Sequence, residues 1–318
     1  MKVSIICPLY NAEDYVEDLY KMILEQENVD IVEIKFIVTE SDDNTEEILK
    51  KLGLTYKKIK RDNFSHSIIR EEEAVSSIGE IIVFITQDIR IANKFWLYKL
   101  IEEIQIGNCQ ASFSRQIAYE NHTVEKYTRE INYPKESRTV SKSDIDELGL
   151  MTFFFSDASS AILKQTFIDL NGYDGKDLPT NEDMYIAHKL IMNNYKIKYV
   201  ADSQVIHSHE LSFKQTFSRY KDIGMFFKEN SYFDNFNANE RGIYVLVYIF
   251  KRLYEEKKLY LVPKIIWNFV ARFLGMKIGK FKDYRREKEY EGNNISRGIR
   301  NETISSNESY VKANGSNI

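Results

Sequence analysis

Four short strand-like runs, apolar and rich in β-branched residues at 3–7, 34–39 and 81–86 and weaker at 56–60, alternate with stretches of helical period at 12–27, 44–52 and 68–77. In the first helical stretch Tyr15, Leu19, Met22 and Ile23 recur at the spacing that lines one helix face. Strands joined through helices run parallel, so this alternation predicts an α/β fold with a mostly parallel sheet and helices on both faces. The fourth run, Ile81-Ile82-Val83-Phe84-Ile85-Thr86-Gln87-Asp88, is apolar almost until it ends in a carboxylate. Open α/β sheets bind ligands outside the carboxyl ends of their strands, and an acid standing there can hold a metal.

Beyond Asp88 the pattern predicts a helix at 94–106 and a strand at 111–117. The polar stretch 120–146 has few core signals and reads as a mobile loop region. Order returns at Met151-Thr152-Phe153-Phe154-Phe155, with a strand at 159–164, a short helix at 165–170 and a turn at Asn171-Gly172-Tyr173-Asp174. A second acidic step, Glu182-Asp183, follows Pro179-Thr180-Asn181 and precedes the helical pattern Met184, Ile186, Ala187, Leu190 and Ile191. Two separated carboxylate sites suggest a metal-binding acid and a catalytic base. A strand is expected at 197–200, helices over 212–286, and a disordered Gly/Asn/Ser-rich tail from 291. The expected organisation is a catalytic domain over 1–225, a basic, aromatic-rich helical extension over 226–290, and the tail 291–318.

With 318 residues and 43% hydrophobic content the chain can bury a full core. The net charge of −4 hides an asymmetry, because residues 251–290 carry +7 and the remainder −11. Cys7 and Cys109 stand in or near strand-like runs, which argues against a disulfide framework and for a reducing, cytosolic compartment. Met1-Lys2 leads straight into a run stopped by Pro8, so no secretory leader is expected. No spanning helix is expected either: the longest apolar run, 243–250, is eight residues, and 260–279 is interrupted by Pro263, Lys264, Arg272 and Lys277.

Several strand ends carry candidate ligand-binding residues. Pro8 and Asn11 break the first strand at the rim, where a simple turn or a nucleotide base fits. In the loop 40–45 Asp43 or Asn44 is the natural cap of the next helix, which leaves Glu40 and Asp42 for ribose or base contacts. His66 and Arg70 lie about one helical turn apart near a helix start, where anions are favoured; neutralisation of a diphosphate competes there with a surface His and a salt-bridged Arg.

Together these segments resemble glycosyltransferase family 2, the inverting nucleotide-sugar enzymes of GT-A (Rossmann-like) fold, and within it the bacterial rhamnosyltransferases of cell-wall and capsular polysaccharide synthesis. The resemblance rests on 4–11, 40–45, Phe64-Ser65-His66 with Arg70, Phe84 to Asp88, Glu182-Asp183, and Val205-Ile206-His207-Ser208-His209 with Phe217, Arg219, Asp222 and Gly224. It covers about residues 3–225. It implies that Asp88, the last acid of the family's Asp-x-Asp motif, holds Mg2+ or Mn2+ with His207 against a donor diphosphate; Thr86 stands where the first acid usually lies. It places Pro8, Leu9, Tyr10, Asn11, Glu40, Asp42, His66, Arg70, Thr86 and Gln87 on the donor nucleotide. Asp183 matches the catalytic base, while Glu182, Asp157 and His209 are expected beside the acceptor.

The implied reaction moves L-rhamnose from dTDP-β-L-rhamnose to a saccharide carried on a polyprenyl diphosphate, at the inner face of the bacterial plasma membrane. A UDP-hexose or UDP-N-acetylhexosamine donor is the enzymatic alternative, and an inactive saccharide-binding or scaffold protein the non-enzymatic one. Trp267, Phe269, Phe273, Leu274 and Met276, interleaved with Lys264, Arg272, Lys277 and Lys280, suit either a helix lying on anionic lipid or ordinary packing on the catalytic domain. No nucleic-acid motif accompanies this charge, so no nucleic-acid partner is expected. Oligomeric state is left open.

Overall fold

The computed structural model describes residues 1–236 and 239–281; the expected tail, and the end of the extension from 282, lie outside the described residues. Nine strands form one sheet: β1 (Lys2–Leu9), β2 (Asp30–Thr39), β3 (Tyr56–Ile59), β4 (Ile81–Ile85), β5 (Arg90–Ile91), β6 (Ala111–Ile117), β7 (Arg138–Val140), β8 (Ser159–Leu163) and β9 (Ile197–Ile206). Their order is β3-β2-β1-β4-β8-β6-β9-β5, with β7 also on β9. The first four strands are parallel, as the alternation predicts. Further along, β8 runs antiparallel between β4 and β6, β9 is parallel to β6, and β5 and β7 are antiparallel to β9.

This order decides what meets at the rim. Ser159 pairs with Ile85, so the start of β8 lies beside the end of β4, and the ends of β6 and β9 point the same way. Asp88, Asp157, Gln116 and His207, spread between positions 88 and 207 of the chain, are thereby delivered to one edge.

Helices cover both faces. One core gathers Leu19, Ile23, Trp96, Leu97 and Leu100 against the sheet; the other gathers Ile69, Phe167, Ile186, Leu190, Phe226 and Phe233. The stretch 120–146 is not the loop expected from its polarity: it forms the helix Thr123–Asn132 and the strand β7. Its few apolar residues, Val124 and Tyr127, pack against Ile249, Leu253 and Ile265, more than a hundred residues away, and a local pattern cannot register such partners.

The C-terminal part is three helices, Phe213–Glu229, Asn239–Glu255 and Val262–Phe281. The expected domain boundary at 225 falls inside the first of them. That helix meets Val262–Phe281 at backbone distance: a Cβ on Gly224 would lie 2.5 Å from the Met276 carbonyl, and one on Gly275 or Gly279 would strike the backbone of Phe217 or Lys221. Packing on the catalytic domain therefore holds for this small-residue face. Away from the glycines the same helix leaves Trp267 at 63% and Phe273 at 66% exposure. The helical segment Leu259–Phe281 has 23 residues and contains an 18-residue window of mean hydropathy 1.2, enough by length and composition to cross a membrane. The expectation of no such helix set this stretch aside for its proline and its interrupting charges.

Candidate active site

β4 is buried along its whole length and ends at Thr86-Gln87-Asp88. Asp88 Oδ2 lies 3.1 Å from His209 Nε2 and 3.4 Å from His207 Nε2, and the three donor atoms fall within 4.8 Å of one another. Burial opposes ionisation of Asp88, yet the neighbouring rings of His207 and His209 hold its carboxyl well below the usual range. His209 is itself held below its ordinary value by burial and by His207. His209, expected beside the acceptor, stands instead with Asp88 and His207. The reason is that β9 runs to Ile206, six residues past the expected end, and carries both rings to the β4 rim. One carboxylate oxygen and two imidazole nitrogens suit a divalent transition ion better than Mg2+, which prefers oxygen throughout.

Opposite lies an acidic cluster with one cation at its centre. Arg70, 2% exposed, pairs through Nη1 with Glu182 Oε1, and its Nη2 reaches the Asp157 carbonyl at 3.5 Å. The Asp157 carboxylate accepts from Ser160 Oγ at 2.6 Å and Tyr173 OH at 2.9 Å. Asn181, in the left-handed region at φ 60°, turns the chain into the helix Glu182–Met192, whose first turn holds Glu182 and Asp183. Asp183 Oδ1 accepts the Met184 N–H at 2.7 Å. Burial, then the charges of Glu182 and Asp157, push the Asp183 carboxyl well above its ordinary value. Burial likewise raises Asp157, whereas Glu182 is lowered because Arg70 and His66 outweigh its burial. Three acids thus share one guanidinium. Arg70, expected on the diphosphate, and Glu182 and Asp157, expected beside the acceptor, are joined to one another in this internal network, since a buried charge needs its partner at hand.

The donor rim is also internally braced. Gln87, expected on the nucleotide, exchanges both amide groups with the Tyr10 backbone at 2.7 and 2.9 Å. Asn11, at φ 47°, accepts the Asp42 N–H at 2.9 Å. Leu9 belongs to the hydrophobic core rather than the rim, because its side chain falls on the buried face of β1; Pro8 is half-buried. Asp42 pairs with Arg61 at 2.5 Å, and Arg61 lies 5.5 Å over the exposed ring of Tyr10, with its Nε 2.9 Å from the Glu40 carbonyl. Arg61 was not foreseen and carries no motif that would single it out. His66 begins the helix His66–Ser76; burial holds it below its ordinary value, and its buried Nδ1 has no hydrogen-bond partner among the described residues. Both cysteines are buried and unbridged, and burial pushes the Cys109 thiol up to about 12.

A cleft of about 1260 Å³ brings together His66, Arg70, Thr86, Asp88, Asp157, Glu182, Asp183, His207 and His209. Pro8, Tyr10, Asn11, Glu40, Asp42 and Gln87 are not in its lining but on the adjoining rim, and the core residue Leu9 is in neither. Its far wall comes from the C-terminal helices, through Phe213, Arg219, Lys264 and Trp267. The sequence model of the family described as "Glycosyl transferase family 2" matches residues 4–170, more than half of the chain. The chain belongs to glycosyl transferase family 2.

Two relatives of this glycosyltransferase are the O-antigen chain rhamnosyltransferase RfbN of Salmonella typhimurium and WbaN of Salmonella anatum, also an O-antigen chain rhamnosyltransferase. RfbN is 28% identical over 289 residues, covering 88% of this chain and 90% of its own; WbaN is 28% identical over 281 residues, covering 87% and 89%. Among solved structures, the mannosyltransferase PcManGT of Pyrobaculum calidifontis, in complex with GDP-Man and Mn2+, superposes at TM-score 0.54 with 11% identity over 92% of this chain and 76% of its own. S. aureus TarS superposes at TM-score 0.50 with 15% identity over 98% of this chain and 60% of its own. The fold is that of GT-A glycosyltransferases, with a mixed α/β sheet flanked by helices and a C-terminal helical part.

Proposed function

We propose that the protein is an inverting rhamnosyltransferase of cell-surface polysaccharide synthesis, moving L-rhamnose from dTDP-β-L-rhamnose to a saccharide acceptor. The observation that carries this reading is the single cleft lined by the Asp88-His207-His209 donor set and by the raised carboxyl of Asp183, in a chain whose relatives are rhamnosyltransferases. Asp183 takes the proton of an acceptor hydroxyl as that oxygen bonds to the anomeric carbon; the bond to the diphosphate breaks, and its electrons leave with the nucleotide. A raised proton affinity suits a general base. Displacement from the β-linked donor yields an α-rhamnoside. When bound by Asp88, His207 and His209, a divalent ion would neutralise charge developing on the departing diphosphate; the nitrogen donors favour Mn2+ over Mg2+ there. His66, at a helix N-terminus with a free ring nitrogen, serves the same oxygens. Tyr10, Glu40 and Arg61 form the shelf for the nucleoside.

Titration calorimetry with a panel of nucleotide sugars tests the donor. dTDP-rhamnose is expected to bind in a Mn2+-dependent manner, and Asp88→Ala to weaken that binding by about 10–100-fold. Tighter binding of a UDP-hexose or UDP-N-acetylhexosamine would discard rhamnose as the donor. Binding of no nucleotide sugar at all would leave a saccharide-binding protein without catalysis.

A lipid-linked acceptor, carried on a polyprenyl diphosphate at the cytoplasmic membrane face, accords with the C-terminal helices. Ile243, Val247, Phe250 and Tyr254 recur at helical spacing and are exposed in the second C-terminal helix, Trp267 and Phe273 are exposed in the third, and the exposed lysines Lys251, Lys257 and Lys277 belong to the same part of the chain. Aromatic residues among cations match an anionic lipid surface. The full chain is expected to sediment with vesicles containing phosphatidylglycerol, and Trp267→Ser with Phe273→Ser to reduce the sedimented fraction several-fold; sedimentation unchanged by that pair would discard this surface.

A further inference from the structure

We propose that Gln116 is a positioning residue that holds His207 in the Nδ1–H tautomer and so aims its Nε2 lone pair at the place where Asp88 and His209 converge. The inference rests on the metal reading above and deepens it.

Gln116 lies in β6, 2% exposed, at the centre of a small polar network. Arg129 donates through Nη1 to Gln116 Oε1. A guanidinium has donors only, so the amide atom facing Arg129 must be the oxygen. The same oxygen lies 2.9 Å from His207 Nδ1. An amide oxygen only accepts, and His207 Nδ1 therefore carries the proton. At the other end of the amide, Gln116 Nε2 donates to Ser156 Oγ at 2.7 Å, in agreement with this orientation. The choice between the two amide orientations, usually open, is here made by arginine. Arg129 is held in turn, since its Nε lies 3.3 Å from Glu125 Oε2, and Glu125 also pairs with Arg272 of the C-terminal helix at 3.6 Å.

With its proton on Nδ1, the neutral ring presents a lone pair at Nε2, and that lone pair faces the carboxylate oxygen of Asp88 3.4 Å away. His209 Nε2 approaches the same oxygen at 3.1 Å. A ring lone pair turned toward a carboxylate oxygen in this way calls for a positive charge between them. His207 is tied at its backbone too, where its N–H donates to the Ile117 carbonyl at 2.9 Å, so Gln116 and its strand neighbour fix both ring and main chain. Partners of this kind on the far nitrogen of a ligating histidine set its tautomer and raise its basicity.

The test uses the full chain with Gln116→Met, which keeps the shape and removes the acceptor, and Gln116→Glu, which keeps an acceptor oxygen. Long-range proton–nitrogen NMR of the metal-free protein reads the His207 tautomer, and electron paramagnetic resonance of free Mn2+ reads affinity. The wild-type ring is expected to be protonated at Nδ1. Q116M should lose that preference and bind Mn2+ about 10–100-fold more weakly, and Q116E should restore both. A wild-type ring protonated at Nε2 alone would overturn the proposal without recourse to any variant, and so would a folded Q116M with unchanged tautomer and affinity. A wild-type chain that binds no Mn2+ would sink the metal reading, while an Nδ1–H form lost in Q116M would still support positioning by Gln116.

Discussion

Asp183→Asn is expected to lower turnover by about 10²–10⁴-fold, the range associated with loss of a general base, while donor binding stays within a few-fold of wild type. The same change should stabilise the fold. Burial, with Glu182 and Asp157 adding to it, pushes the Asp183 carboxyl up, so the folded chain keeps this proton at pH values where the unfolded chain has lost it. Folding then takes up a proton, and the contribution of this group to stability falls as pH rises from the ordinary carboxylate value toward the raised one. Asparagine carries no charge at any pH and removes that loss, and its carbonyl can still accept the Met184 N–H. Thermal unfolding followed from acid to neutral pH should show D183N above wild type at the neutral end and less dependent on pH. Undiminished turnover in D183N would refute the base assignment. A lower midpoint at neutral pH would refute the crowding of charge around it.

Arg70→Met should destabilise the protein by about 3–5 kcal/mol, the cost of leaving one member of a buried pair without its partner. Arg70 touches Glu182 and the Asp157 carbonyl, and Asp183 lies in its field. Its removal leaves Glu182 with the neighbouring acids and without the charge that holds its carboxyl low. Removing both partners, as Arg70→Met with Glu182→Leu, should recover much of the loss, because a buried pair replaced by apolar side chains is often nearly neutral. Urea unfolding of the two single variants and the double variant closes the cycle. A loss below about 1 kcal/mol in Arg70→Met would show that the pair is not the centre of the cluster.

The parallel half of the sheet was legible because each strand announces itself locally. β4 is five consecutive buried apolar residues, and no neighbour is needed to recognise it. Asp88 and Asp183 were legible for a related reason, since each sits at the end of an element whose type the adjacent residues declare. The residues that brace them were not. Arg70 and Glu182 are 112 positions apart, and Gln116 and His207 are 91 apart. No period of two or of 3.6 relates such residues. The same holds for the helix Thr123–Asn132, whose sparse apolar residues become a core only against helices that come a hundred residues later.

The chain by itself determined the elements of the parallel half, their alternation, the family and the two carboxylates at strand and helix ends, because side-chain periodicity and turn chemistry act over a few residues. Tertiary structure alone decided that β8 inserts antiparallel beside β4, that β9 lifts both histidines to Asp88, and that Arg70 is occupied by Glu182. These are choices among distant partners, made by strand order and by the need of every buried charge and lone pair to find its complement within hydrogen-bonding distance.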